Sequence, residues 1–230
     1  GEKEKTMANV LVIGDTHAPA MLDGYTDFLR DIQKSWNCKE VVHIGDVVDW
    51  SAISYHEKDP SDPSAYDEYE KAKKQVSELY KLFPKAVVMT GNHDALPRRK
   101  ATTIGIPEQL IRKYADIWET PKWDWKPRFS LHVIDNVIYA HGDRGKAGLG
   151  AALKNAKEHF KSWVQGHLHS QAGVSYYAND HQIIFGMNVG CGVDVDSASM
   201  KYGKKFNQKP LVGCGVVLGG THAIFEPMKL

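Results

Sequence analysis

At 230 residues and 42% hydrophobic, the chain is long enough to bury a sizeable core, and its composition excludes a disordered polypeptide. Twenty-nine basic against 28 acidic residues leave a formal charge of +1, so no global field announces a polyanionic partner. Three isolated cysteines, Cys38, Cys191 and Cys214, offer neither a disulfide framework nor thiolate pairs, and no apolar run reaches about 18 residues. These features predict a soluble protein of a reducing, cytoplasmic compartment with no membrane association. The opening GEKEKT, residues 1–6, reads as a leader or expression scar, and 7–230 as a single domain with surface insertions near 51–66 and 191–212.

In chain order, Val10 to Ile13 form an apolar run broken by Gly14 and predict a strand. Residues 22–36 carry Leu22, Tyr25, Phe28, Leu29, Ile32 and Trp36 at helical spacing. Val41 to Ile44 predict a second strand. Residues 66–83 predict an amphipathic helix, capped by Ser64 or Asp67 after the proline-rich and acidic stretch HEKDPSDPS. Ala86 to Met89 predict a third strand. Residues 128–134 and 137–141, joined by Asp135 and Asn136, predict a hairpin, 149–160 a helix, and Trp163 to Gln165 another strand. Ile183 to Phe185, Val216 to Leu218 and Ala223 to Phe225 add three more, while the glycine-rich stretch 187–215 carries no strand of its own in this reading. The pattern is that of an α/β fold with helices outside and more than one sheet inside.

Polar groups end these strands in a repeated way. Asp15 and His17 follow the first in IGDTH, and Asp46 and Asp49 follow the second in IGDVVD. Asn92, His93 and Asp94 stand in TGNHD, His141 and Asp143 in YAHGD, and His167 and His169 in QGHLH. Parallel strands share a carboxyl edge, so residues distant in sequence are delivered to one place. Residues two apart in an extended segment point the same way, which lets Asp15 and His17 face one ion, and His167 and His169 likewise. A glycine before most of these groups, in the recurring pairs GD, GN and GH, permits close backbone approach. Oxygen and nitrogen donors without thiolate suit divalent ions such as manganese, iron or zinc and disfavour a sulfur-bound structural zinc. Seven such side chains are too many for one tetrahedral ion and suit two that share a carboxylate.

These five elements, in this order, resemble the calcineurin-like metallophosphoesterases, and the resemblance spans residues 11–169 and more. It implies a four-layer α/β/β/α sandwich. It implies a first ion held by Asp15, His17, Asp46 and His169, and a second held by Asp46, Asn92, His141 and His167, with Asp46 bridging. The cofactor expected is a pair of divalent ions, manganese first, with iron, zinc, nickel or magnesium as alternatives. The activity implied is hydrolysis of phosphomonoester or phosphodiester bonds by attack of a metal-bound hydroxide, the ions sitting about 3.5 to 4 Å apart. His93 is the candidate catalytic residue outside the ligand set, with Asp94 orienting its imidazole. A DNA or RNA nuclease of the same fold and a non-catalytic scaffold are the alternatives.

The remaining residues carry plainer readings. Asp49 reads as a turn cap or a hydrogen-bond partner of a ligand histidine, and His43 as packing. Cys191, in a glycine-rich loop, could approach the site but reads as unreactive. Asp143 and Arg144 read either as a loop ion pair or as groups that orient His141 or bind phosphate. Basic and aromatic residues cluster at PRRK (97–100), KWDWKPR (122–128) and KYGKKFNQK (201–209), and Arg98, Arg99 and Arg144 are candidate substrate contacts. The partner expected is a phosphorylated small molecule, a nucleotide or a phosphoprotein, with nucleic acid as a further possibility. No oligomeric state is legible.

Overall fold

The computed structural model describes residues 7–197 and 209–229. The leader at 1–6, the centre of the insertion expected at 191–212 and most of the basic stretch 201–209 lie outside the described residues. One sheet holds six strands, among them β1 (Asn9–Ile13), β2 (Glu40–His43), β3 (Ala86–Met89) and β4 (Trp123–Lys126). The second sheet consists of β5 (His132–Ile134), β6 (Val137–Ala140), β7 (Ser162–Gln165), β8 (Ala172–Ala178) and β9 (Ile183–Val189). Returning to the first sheet, β10 (Gly213–Leu218) and β11 (His222–Pro227) complete it in the order β11-β10-β1-β2-β3-β4. The order in the second sheet is β5-β6-β7-β9-β8. β1 to β4 run parallel, as do β6, β7 and β9, and the antiparallel strands lie at the flanks.

The continuous apolar runs of the parallel strands follow from burial on both faces. Along β1, Val10 and Val12 face the second sheet, where they pack among Tyr139, Val164, Phe185 and Met187. Leu11 and Ile13 face the other way, toward the helices α1 (Tyr25–Ser35) and α2 (Ala65–Leu82), among Tyr25, Leu29, Val76 and Leu79. Between α2 and the later helix lie α3 (Leu96–Thr103) and the single turn α4 (Tyr114–Ile117). The outer face of the second sheet is covered by α5 (Ala151–His159), whose Ala152 and Ala156 sit on Ile138, Trp163 and Ile184. Four layers, α/β/β/α, result.

Several boundaries differ from the sequence reading for identifiable reasons. α1 starts at Tyr25 rather than residue 22 because Gly24 takes a left-handed φ of 80°, and Leu22 instead donates its N–H to the Gly192 carbonyl. Ser64 is the N-cap of α2: its hydroxyl oxygen accepts from the Asp67 N–H. β4, β8 and α3 have no counterpart in the sequence reading. The stretch 187–215 contributes the end of β9 and the start of β10.

Candidate metal centre

Register places the carboxyl ends of the parallel strands level, Ile13 beside His43 and His43 beside Val88. The loops that follow β1, β2 and β3 meet those that follow β6 and β7 at the seam between the sheets. All seven expected ligands come together there. Donor atoms of Asp15, His17 and His169 lie within 4.8 Å of one another, and so do those of Asp46, His141 and His167. Asn92 Oδ1 stands 3.1 Å from His141 Nε2.

The turns that aim these groups are strained and cross-tied. His17, Asp46 and His167 adopt left-handed backbone at φ 45°, 48° and 66°, a conformation costly for residues other than glycine and here over-determined by hydrogen bonds. The His17 N–H donates to the Asp46 carbonyl at 2.9 Å, the His93 N–H to Asp46 Oδ1 at 2.9 Å, and the His167 N–H to Asp15 Oδ1 at 3.1 Å. Each carboxylate is thereby fixed by a backbone group from another strand end. Two glycines make room for this: a Cβ on Gly91 would land on the Asp46 carboxylate, and one on Gly166 on the Asp15 carboxylate and the Ile44 side chain.

The donor set fits divalent ions. His17 Nδ1 is engaged by Asp49 Oδ1 at 2.7 Å, and His141 Nδ1 by the Ile44 carbonyl at 3.0 Å, so both imidazoles use their outer nitrogen as the N–H donor. Their Nε2 atoms face inward and meet acceptors. His141 Nε2 faces Asn92 Oδ1 and, at 3.3 Å, Asp46 Oδ2; His17 Nε2 lies 3.5 Å from Asp46 Oδ2 and 3.1 Å from His169 Nε2. Lone pairs converge on lone pairs, an arrangement that only interposed positive charge makes favourable.

The ionisation balance states the same demand. Burial would push the carboxylates up, yet the histidines hold Asp15 and Asp46 well below the usual range and Asp49 at about 2. Burial would pull the histidines down, yet Asp46 holds His141 up at about 10, and Asp15 and Asp49 hold His17 up. A proton meets that demand at one nitrogen; a divalent ion meets it for several donors at once. His43 behaves differently. Its Nε2 bonds to Thr16 Oγ1 at 3.0 Å, its Nδ1 accepts from the Gly45 N–H at 3.1 Å, and burial pushes it down to about 3. It is a neutral pin between the first two ligand loops, a fuller role than the packing its strand position suggests.

The structure corrects the partner assigned to His93. Asp94 is turned away, its carboxylate accepting from the Val48 N–H at 3.1 Å and the Gly91 N–H at 2.9 Å, where it braces the loops. The group against His93 Nδ1 is Asp49, through its carbonyl at 2.7 Å and its Oδ1 at 3.3 Å. Asp49 therefore orients both His17 and His93. Its place three residues after Asp46 signals the first contact; the second has no signal in the spacing. Burial pulls His93 down, but the bond to Asp49 raises it above the ordinary histidine value.

The expected substrate arginines separate. Arg99 lines a small cavity with Asn92 and His93. Arg98 points along α3 to Glu108 Oε1 at 2.6 Å and the Arg112 carbonyl. Arg144 donates to the Phe129 carbonyl at 2.9 Å, while Asp143 pairs with Arg128 at 2.8 Å. Cys191 is buried with its thiol pushed up to about 12 by burial, so it is not a nucleophile. All three cysteines are free.

Two mixed sheets between helices, with aspartate and histidine donors on the strand ends of both, define the metallophosphoesterase class of α/β proteins. The match extends over most of the chain: residues 8–209 fit the calcineurin-like phosphoesterase family, and the chain belongs to it. Among solved structures, it is similar to Vacuolar Protein Sorting 29 from Cryptosporidium parvum at 14% identity and a TM-score of 0.47, covering 91% of this chain and 85% of that one. It is similar to Yfce, a phosphoesterase from E. coli, at 13% identity and a TM-score of 0.47, covering 90% and 87%. It is also similar to the Pseudomonas putida nuclease MPE at 12% identity and a TM-score of 0.39, covering 92% and 84%. No curated protein sequence matches the chain. Among the described residues, no helix is long and apolar enough to cross a membrane.

Proposed function

We propose that this chain is a dinuclear metal-dependent phosphoesterase that hydrolyses phosphate mono- or diesters. The observation that carries the reading is the inward convergence of the Nε2 atoms of His17, His141 and His169 on Asp15, Asp46 and Asn92. Asp15, His17, Asp46 and His169 would hold one ion, and Asp46, Asn92, His141 and His167 the other. Divalent ions so placed polarise phosphoryl oxygens and make water a competent nucleophile at neutral pH.

The chain's own residues supply the rest. Asp49 fixes Nδ1 of His93 and leaves Nε2 to the cavity, where it is placed to stabilise phosphoryl oxygens and to give a proton to the leaving oxygen. A non-catalytic scaffold has no use for a histidine so held. Manganese is the proposed metal, and a phosphorylated small molecule, nucleotide or phosphoprotein in a cytoplasmic setting the proposed substrate.

Metal-stripped protein reconstituted separately with manganese, nickel, zinc or magnesium is assayed on p-nitrophenyl phosphate and bis(p-nitrophenyl) phosphate, with bound metal measured by elemental analysis. Asp46→Asn is expected to lose metal and rate together. His93→Ala is expected to keep its metal and lose roughly 100- to 10,000-fold in turnover. Two bound ions with no hydrolysis of either ester would sink the proposal.

A further inference from the structure

Beside the metal centre runs a second, larger concavity that the reaction does not explain. A cavity of about 710 Å³ lies between α3, the turn carrying α4, and β4. It adjoins the small cavity of about 100 Å³ lined by Asn92 and His93, and Tyr55 and Arg99 line both. The adjacency has a simple origin. Asn92 and His93 follow β3, and α3 starts at Leu96, so successive turns of one short helix carry the wall from the metal ligands outward.

The lining has a definite chemical character. Its basic groups are Arg98, Arg99, Lys113, Lys126 and Arg128, against the two carboxylates Glu108 and Asp124. In a chain of net charge +1 this is a local concentration of positive charge. Both carboxylates are already taken, Glu108 by Arg98 at 2.6 Å and Asp124 by Lys126 at 2.6 Å, and Arg128 is paired with Asp143 at 2.8 Å. Arg99 and Lys113 have no carboxylate partner among the described residues. Aromatic rings lie between the charges: Tyr114 stacks on Trp125 with centroids 5.1 Å apart and carries the Arg98 guanidinium 4.5 Å from its ring centre, and Tyr55, 65% exposed where the two cavities adjoin, has Lys100 Nζ 4.5 Å from its ring centre. Cations alternating with aromatic faces match a backbone of phosphates carrying unpaired bases.

We propose that this groove seats the single-stranded flank of a polynucleotide whose scissile phosphodiester lies at the metal centre. The proposal rests on the phosphoesterase reading and narrows its substrate. A single strand fits better than a duplex because only unpaired bases can lay a face on Tyr55. It fits better than a phosphopeptide because a peptide needs the cations but not the aromatic surface.

The test is fluorescence anisotropy of the full chain with a labelled oligothymidylate of about 12 nucleotides, in EDTA so that no cleavage accompanies binding, over a salt series. Removing Arg99 and Lys113 together (R99A/K113A) is expected to make the log–log salt slope shallower by about 0.7 for each cation lost. Tyr55→Ala is expected to weaken binding by about fivefold or more. Thermal unfolding of each variant guards against a fold defect, and a phosphoserine peptide of equal charge serves as the competing ligand. Variants that bind like wild type at every salt concentration, or a peptide that binds as tightly as the oligonucleotide, would overturn the proposal. The two readings fail separately. Absent turnover of bis(p-nitrophenyl) phosphate with oligonucleotide binding intact removes the phosphoesterase reading, and turnover with unaltered binding in the variants removes the groove.

Discussion

Replacing Asp49 by asparagine tests the carboxylate that touches both His17, a proposed metal ligand, and His93, the proposed catalytic histidine. Asp49 is 2% exposed, and its Oδ1 holds His17 Nδ1 at 2.7 Å while lying 3.3 Å from His93 Nδ1. The asparagine side chain would keep the shape and an acceptor oxygen but lose the charge. Charge-assisted hydrogen bonds contribute about 1.5 to 3 kcal/mol against about 1 kcal/mol for neutral ones. The loss at His17 is therefore about 0.5 to 2 kcal/mol. Outer partners of ligand histidines typically change metal affinity by about 10- to 100-fold, and the lower part of that range is expected here. Chelator competition measures that loss, and steady-state rates at saturating metal measure what remains. Because the Asp49 bond is what raises His93 above its ordinary value, D49N also moves the His93 titration to lower pH and lowers turnover on the alkaline side of the profile. Wild-type affinity together with a wild-type profile at saturating metal would refute the argument. Asp94→Asn is the contrasting variant, since its contacts are to backbone N–H groups and it should alter stability more than the His93 profile.

Three further outcomes are expected. Metal at about 100 times its dissociation constant should stabilise the folded chain by about 2.7 kcal/mol, which differential scanning calorimetry would read as a rise of about 5 to 11 °C over the EDTA-treated protein. His43, held neutral down to about pH 3 by burial, binds a proton only when the chain unfolds, so the apo protein should lose stability as pH falls below about 6.5. Urea titrations of His43→Gln should show a pH slope smaller by up to about 1.4 kcal/mol per unit in that window, and an unchanged slope would mean His43 is charged when folded. Trp163 is 1% exposed under α5 and donates its Nε1–H to Gln165, so Trp163→Ala should cost about 3 to 5 kcal/mol by the same titration, without direct loss of bound metal.

What can be read from the sequence is whatever burial on two faces imprints on it. β1, β2, β3, β6 and β7 are apolar runs that stop at a glycine and a donor, and that punctuation is both the fold signal and the site signal. The elements without such a signal lie at the margins. β8 is a flank strand with no fully buried side chain, so AGVSYYA lacks the continuous apolar run of the central strands. β4, WDWK, is four residues at the other edge, and its charges mask its alternation. α3, LPRRKATT, has one buried residue and is polar elsewhere, which reads as a basic loop. The seven donors are legible because each follows an apolar strand that ends at the shared edge, but their directions are not: His17 and His167 turn on left-handed backbone, and His167 and His169, expected to face one ion, join different donor groups. The partner of His93 is not legible either, because Asp94 stands at a turn, where neighbouring side chains diverge, and Asp49 reaches His93 from a different strand.

The seam between the sheets has a consequence for how the chain acquires its site. Asp15, His17, Asp46 and Asn92 follow strands of one sheet, and His141, His167 and His169 follow strands of the other. Neither sheet alone presents a complete coordination sphere. On the proposed assignment, tight metal binding therefore requires both sheets to be docked, with β10 paired beside β1 in the register that sets Asn9 opposite Leu218. A chain with its helices formed but its sheets apart would hold neither ion tightly.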